Sequence, residues 1–297
     1  MVKPMVLIFG SNGQLASSLK STGLAPRAKF VGSAEADFTD LDSVEAALES
    51  HRPRLIVNAS AYTRVDAAET DRRTCQLVNA DAVGRIASWA KKNDASVVHF
   101  STDYIFPGTG SSPWSEDDEP GPLNWYGETK LQGELLLAGS GCHAVTFRTS
   151  WMFSEYGSNF VKTMLRLGKS QESLNIVADQ IGNPTYAMDI AQFLDRVIDR
   201  IEARTVSGTF HLSNSGPTSW HHFAEYVFER AGAMGHRLKI KSVAPIPSSQ
   251  YPTPARRPLN GSLSMERTRA TFGDALPPWQ DAVDRCLSKM GSAIEDH

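Results

Sequence analysis

Tyr126 stands four residues before Lys130 in NWYGETKLQGE, residues 124–134. On a helix that spacing puts a phenol and an ammonium on one face. The bland reading is a half-buried Tyr beside a solvated Lys; the chemical one is a proton donor beside the cation that tunes it. A free phenol titrates at about 10, too high to exchange a proton efficiently near neutral pH. Lowering that value by about three units requires ~4 kcal/mol in favour of phenolate. An ammonium about 6 Å away supplies about 0.7 kcal/mol in water and about 2.8 kcal/mol at an effective dielectric of 20. Lys130 can therefore tune Tyr126 only in a partly dehydrated cleft. Thr102, in Ser101-Thr102-Asp103, adds a hydroxyl at the end of the apolar run VVHFS. Such a hydroxyl would hold a substrate oxygen in place for the proton, and the three groups together suit hydride transfer to a carbonyl.

A second pattern points to the hydride source. GSNGQLA, residues 10–16, follows the apolar run Val6–Phe9 and precedes a stretch with room for a helix. Gly10 permits a tight turn, Gly13 lets a pyrophosphate approach the backbone, and Ala16 stands where a third small residue packs helix on sheet. An NAD site usually carries Asp or Glu at the end of the second strand. Here that end reads VGSAEAD, with Gly32 and Ser33 at the expected spot, so a 2′-phosphate is not repelled and NADPH should be accepted. Glu35 could still swing in towards a ribose, and Asp37 would contact adenine.

The elements that must position these groups are read from periodicity. Val6–Phe9, Lys29–Gly32, Leu55–Asn58, Val97–Ser101 and Ala144–Arg148 are short apolar runs that read as buried parallel strands. Helical periodicity falls between them at 14–21, 41–50, 74–93 and 125–137. This alternation predicts an α/β fold, a doubly wound parallel sheet, with strand C-termini and hence Gly10, Asn58, Ser101 and Arg148 along one edge. Ligands bind at that edge in open α/β sheets. Beyond residue 150 the pattern loosens. Helices are expected at 159–168, 189–204, 220–233 and 279–290, and strands at 210–212 and 238–243. PIPSSQYPTPARRP, residues 245–258, holds five prolines and reads as an ordered loop without regular structure. The expected division is a dinucleotide-binding domain over 1–150 and a smaller C-terminal α/β substrate domain over 151–297, with segments at about 170–212 returning to the sheet.

Composition narrows the function classes. The chain has 297 residues, 41% apolar and 21% charged, with net charge −3. That balance offers no footprint for nucleic acid or an anionic membrane. No apolar stretch approaches a membrane span, the N-terminus lacks a secretion signal, and three scattered cysteines suit a reducing compartment. The chain reads as cytoplasmic and soluble. No Cys/His cluster suggests a metal.

Further stretches extend the case: NASAYTRVDAAE at 58–69, STDYIFPGTG at 101–110, YGETKLQGE at 126–134, FRTSWMF at 147–153, NFVKTMLRL at 159–167, DQIGNPTYAMDIA at 179–191 and YPTPARRP at 251–258. With the glycine turn, and in this order over nearly the whole chain, they resemble the dTDP-4-dehydrorhamnose reductase family of extended short-chain dehydrogenase/reductases. The resemblance implies a Rossmann-like cofactor domain and NAD(P)H-dependent reduction of the C4 ketone of dTDP-4-dehydro-β-L-rhamnose to dTDP-L-rhamnose, the final step in making the activated sugar for polysaccharide. It implies catalytic roles for Thr102, Tyr126 and Lys130, with Lys130 also on the nicotinamide ribose. The implied cofactor side is Gly10, Asn12, Gly13, Gln14, Leu15, Ser33, Asp37, Phe38, Ala59, Ser60, Ala61 and Tyr62. The implied substrate side is Thr63, Thr102, Asp103 and Trp151, with Asn159, Gln180 and the guanidinium of Arg257 towards the nucleotide. NADPH is the expected cofactor, with NADH as an alternative. Some members carry a Glu in the first helix for a metal-linked dimer; Ser18 stands near that place here. A monomer or weak homodimer is expected, and a magnesium requirement stays open.

Three alternatives remain at this point. A sugar-nucleotide dehydratase would be expected to show Thr-Asp-Glu after the fourth strand, where this chain has Thr102-Asp103-Tyr104. A reductase or epimerase acting on another nucleotide 6-deoxy-4-ketosugar would share the motifs. A non-catalytic NADP-binding regulatory subunit would have no need to keep Thr102, Tyr126 and Lys130 together.

Overall fold

The computed structural model describes residues 6–291. Six parallel strands form the central sheet: β1 (Val6–Phe9), β2 (Ala28–Val31), β3 (Leu55–Asn58), β4 (Ser96–Thr102), β5 (His143–Thr149) and β6 (Gly208–His211). Their order is β6-β5-β4-β3-β1-β2. Because every pairing is parallel, all C-terminal ends meet at one edge. The register sets Phe9 beside Asn58, Asn58 beside His99, and Thr102 beside Thr149.

Alternation along each strand feeds two cores. Val6 and Ile8 face one side, with α1 (Gln14–Leu19) and, later in the chain, the helix Ala187–Glu202. Leu7 and Phe9 face the other, with α2 (Leu41–His51), α3 (Ala82–Lys92) and α4 (Trp125–Gly139). Each fully buried Val, Leu, Ile or Phe contributes about 1.5–3 kcal/mol against an exposed one, so both faces must be covered for the sheet to be stable. Residues Ala187–Glu202 and β6 thus belong to the sheet layer, and the chain's return to it begins at Ala187.

A separate cluster gathers Phe153, Val161, Met164, Phe223, Val227, Trp279 and Leu287. It joins α5 (Phe160–Ser170), α7 (Trp220–Ala233) and α8 (Trp279–Gly291), with Ala187–Glu202 counted as α6. Two short strands, Ser173–Val177 and Ser242–Ile246, pair in parallel beside it. The first is absent from the periodicity reading. The second replaces the strand expected at 238–243 and runs into the proline-rich stretch, ending Pro245-Ile246. Among the described residues its only partner is Ser173–Val177, so it is an edge strand, where a proline without N–H fits a ladder. The same stretch also forms a short 3-10 turn at Ser248–Gln250. The long helix expected at 74–93 is built differently as well. Arg72–Gln76 passes through a π turn at Leu77–Asp81 before α3 begins.

Candidate active site

Thr102 closes β4, while Tyr126 and Lys130 sit in the first two turns of α4. Asn124 starts that helix by accepting the Gly127 N–H at 2.8 Å through its side chain. Gly127 is required by close approach: a Cβ there would lie 2.2 Å from the Tyr104 carbonyl oxygen. With nothing in the way, the helix drops onto the segment after β4. The Tyr126 and Tyr104 rings then meet edge to face at 5.6 Å, and Tyr126 comes within hydrogen-bonding reach of Thr102. Lys130 lies fully inside, with Nζ donating to the Phe100 carbonyl at 2.6 Å. Tyr126 and Lys130, read from their spacing, and Thr102, read from its place at a strand end, lie at the C-terminal edge of the sheet.

The electrostatics differ from the expectation. Burial pushes the Tyr126 phenol well above its ordinary value; hydrogen bonding with Thr102 opposes the rise, and nearby Asp103 and Cys75 add to it. The Lys130 ammonium does not outweigh that burial. The ammonium is committed to the Phe100 carbonyl, and burial brings its own pKa down to about 8 against the pull of Glu134 and Cys75. Desolvation, which strengthens the tyrosine–lysine attraction, here costs each ion more than the attraction returns. Tyr126 therefore holds its proton firmly until a strong base, such as a forming alkoxide, appears beside it.

Asp103 follows Thr102 and is 2% exposed. Its Oδ1 accepts the Thr102 hydroxyl at 3.1 Å, while Oδ2 is buried without a partner. Burial raises this carboxyl to about 7, against hydrogen bonding from Thr102 and Ser150. A carboxyl poised there can donate or accept. Trp151 lies just beyond β5, with a positive φ of 44° and its indole stacked on Trp220. Thr63 is exposed on the loop after β3.

Gly10 has φ +91°, and a Cβ there would sit 2.8 Å from the Ala59 carbonyl oxygen. The turn closes through Gly10 and Ser11 N–H donating to the Val31 carbonyl at 3.0 and 3.2 Å. Gly13 occupies the N-cap of α1 and makes no side-chain cap, leaving the turn's surface to backbone. Asn12, Gly13 and Ser33 are exposed beside it. Glu35 is held by His51 at 2.6 Å and Lys29 at 3.5 Å, and Asp37 is folded onto Thr39 at 2.8 Å. Glu35 and Asp37 are thus engaged by their own neighbours and Ser33 is exposed, so the residues fit an NADP-type dinucleotide. Ala59, Ser60 and Ala61 continue the edge after β3, half-buried, with Tyr62 buried. Leu15 and Phe38 belong to the core, Phe38 packing its ring at 5.2 Å from Phe9, so they can offer a ligand only backbone. His99 is a packed strand residue, bonded to Asn58 at 3.2 Å and kept neutral by burial and by Lys130. Ser18 is fully buried and donates to the Gln14 carbonyl at 3.1 Å, so it offers nothing to a surface metal. Among the described residues no group of three or more His, Cys, Asp or Glu is placed to hold a metal ion, and no helix is long and apolar enough to cross a membrane.

The outer residues divide. Gln180 and Arg257 line one cavity of about 660 Å³ with Tyr251 and Arg256. Within it Arg257 grips Asp66 through two 2.7 Å bonds and also donates to the Ala255 carbonyl at 2.7 Å. Asn159 lies elsewhere. Its Oδ1 caps α5 at Lys162 N, and its Nδ2 donates to Gln14 Oε1 at 3.0 Å and to the Ser154 carbonyl at 2.7 Å. It stitches the glycine turn to the second cluster. Two residues escaped the sequence reading. Asn79, in the π turn, accepts the Tyr62 N–H at 2.9 Å and reaches Thr129 of α4 at 3.3 Å, fixing the loop after β3 against the helix of Tyr126. A polar residue in the middle of a helical pattern was the available signal. Trp220 gave none, since an aromatic at a helix start is commonplace.

The family described as RmlD substrate binding domain matches residues 4–292. A dTDP-4-dehydrorhamnose reductase of Burkholderia thailandensis is 42% identical over 297 residues, spanning 96% of this chain and 98% of that protein. One from Escherichia coli K12 is 41% identical over 292 residues, spanning 96% and 97%. The crystal structure of a dTDP-4-dehydrorhamnose reductase from Bacillus anthracis in complex with NADP matches with a TM-score of 0.88 at 32% identity, covering 97% of this chain and 100% of that one.

Proposed function

The chain belongs to the RmlD family of dTDP-4-dehydrorhamnose reductases, and from that premise we propose that it reduces the C4 ketone of dTDP-4-dehydro-β-L-rhamnose to give dTDP-L-rhamnose, with NADPH as the main reductant and NADH as a second. The carrying observation is the convergence of Thr102, Tyr126 and Lys130 at the sheet edge beside the glycine turn.

The bound reduced nicotinamide supplies the hydride. The chain's own residues do the rest. Gly10, Asn12, Gly13 and Gln14 hold the pyrophosphate on backbone, Ser33 and Asp37 meet the adenosine end, and Ala59, Ser60, Ala61 and Tyr62 line the dinucleotide. Thr102 orients the ketone oxygen through its hydroxyl. Tyr126 Oη gives its proton to that oxygen as negative charge develops, which a phenol with a raised pKa does only when the acceptor is strongly basic. Lys130, close to titrating near neutrality, stabilises the phenolate left behind and binds the nicotinamide ribose. Thr63, Asp103 and Trp151 contact the sugar. Gln180 and Arg257 face the nucleotide end through the 660 Å³ cavity. We assign residues 1–150 to cofactor binding and 151–297 mainly to substrate. A monomer or weak homodimer in the cytoplasm completes the proposal.

The test is incubation with dTDP-4-dehydro-L-rhamnose and each reduced cofactor, following nicotinamide absorbance and identifying the sugar. Stoichiometric NADPH oxidation with dTDP-L-rhamnose formed is expected. NADPH binding without oxidation would reveal a binding module, and sugar conversion without NADPH loss an epimerase; either overturns the proposal.

A further inference from the structure

Trp151 is held in a conformation that a non-glycine residue rarely adopts, φ 44°. Such backbone persists only where its surroundings over-determine it. Here two neighbours do so. The indole stacks on Trp220, ring centroids 3.5 Å apart and 9° from parallel. Gly182 also lies against the indole: a Cβ there would stand 2.5 Å from indole Cε2 and 2.7 Å from Nε1. No side chain other than hydrogen fits. The two walls are joined: Ile181–Gly182 pairs antiparallel with Thr218–Ser219, and Ser219 caps the helix that begins at Trp220 by accepting the His222 N–H at 3.1 Å. Phe160 backs Trp220 at 4.6 Å. The Trp151 carbonyl is pinned by Thr185 N–H at 3.1 Å. The same strand reaches the other sugar-side group. Ile181 accepts the Gly261 N–H at 2.7 Å, and a Cβ on Gly261 would stand 2.4 Å from the unpartnered Oδ2 of Asp103.

We propose that Gly182 is a positioning residue for sugar recognition. Its missing side chain opens the slot in which Trp220 clamps the Trp151 indole, and the clamp sets affinity for the sugar nucleotide. This rests on the reading of Trp151 as a sugar contact. A methyl at residue 182 displaces the indole, whereas it leaves Thr102, Tyr126, Lys130 and the glycine turn untouched.

The experiment compares the wild type, Gly182→Ala, Trp151→Phe and the double variant. Readouts are KM and kcat for the keto sugar, the dissociation constant of dTDP-L-rhamnose by calorimetry, NADPH affinity, and the melting temperature. Gly182→Ala should raise KM and the product dissociation constant about tenfold or more, a loss of ~1.4 kcal/mol, with kcat and NADPH affinity within about threefold. The smaller ring of Trp151→Phe relieves the clash, so the double variant should bind like Trp151→Phe alone. Wild-type KM in Gly182→Ala, a parallel loss of NADPH affinity, or an additive double variant would overturn the proposal. If Trp151→Phe keeps the wild-type KM while the wild type turns over, the sugar-contact reading itself fails, and this inference fails with it. Should Gly182→Ala not fold, Trp220→Leu opens the slot from its other wall, and the same rise in KM with unchanged NADPH affinity is required.

Discussion

Asp103 carries a prediction whose size follows from its burial. The carboxyl is 2% exposed, one oxygen lacks any partner among the described residues, and its pKa is pushed up to about 7. An unfolded Asp titrates at about 3.9. Between those values the native state holds a proton that the unfolded chain has released, so stability must fall as pH rises through this window. The contribution is complete below the unfolded value and is lost by the time pH has climbed through the folded one. From about pH 5 to about pH 7 the fall is two units at 1.36 kcal/mol each, about 3 kcal/mol, with little further change to about pH 8.5. Asp103→Asn removes the titration. Its amide also puts a donor where Oδ2 stands unpaired, at a cost of about 1–3 kcal/mol that does not vary with pH. The wild type should therefore be the more stable protein at about pH 5, and the advantage should shrink by about 3 kcal/mol, to zero or below, at about pH 8.5. Urea unfolding of both proteins at the two pH values isolates this term, because the other titrating groups cancel in the difference. A wild-type-minus-variant difference constant to within about 0.5 kcal/mol across the range would refute the buried, proton-holding Asp103.

Three further outcomes follow from the same geometry. Tyr126→Phe should keep NADPH affinity within about threefold and lose turnover by about 100-fold to 10,000-fold; stopped-flow hydride transfer and cofactor titration measure both, and near wild-type turnover would remove Tyr126 as the acid. Lys130→Met should abolish turnover yet raise stability at neutral pH by about 1–2 kcal/mol, because the buried ammonium, with its pKa lowered to about 8, costs more than its bond to the Phe100 carbonyl returns. In the wild type the sign is opposite to that of Asp103: stability should rise as pH climbs from about 8 towards 10, where the unfolded Lys still holds its proton, and denaturant melts of wild type and variant over that range check it. Gly10→Ala, at φ +91° and 2.8 Å from the Ala59 carbonyl oxygen, should cost about 2 kcal/mol or more and strip NADPH binding, read by thermal melts with and without cofactor.

What the sequence discloses follows the physics that shapes it. Leu55–Asn58 is legible to the residue because a strand buried on both faces is apolar along its length, here Leu55–Val57, until Asn58 closes it. β4 and β5 each run one residue further at both ends than their apolar runs, since Ser96, Thr102, His143 and Thr149 are polar residues paired by backbone. The strand Ser242–Ile246 hides behind Pro245, and the π turn hides because the residues on either side of it still read as helix. At the site, Thr102, Tyr126 and Lys130 are legible because their chemistry demands particular groups. The electrostatic sign on Tyr126 was not, because desolvation depends on how many neighbours close over a hydroxyl, which spacing along a chain does not encode. Arg257 shows the same gap: its charge is visible in YPTPARRP, while the grip on Asp66, 191 residues away, is purely a tertiary fact.

The short bond between the Lys130 ammonium and the Phe100 carbonyl has a mechanical consequence. It rivets the helix bearing the acid to the strand bearing the hydroxyl, two residues upstream of Thr102. The alignment of Thr102 with Tyr126 is thereby carried by the protein interior and not by the surrounding loops.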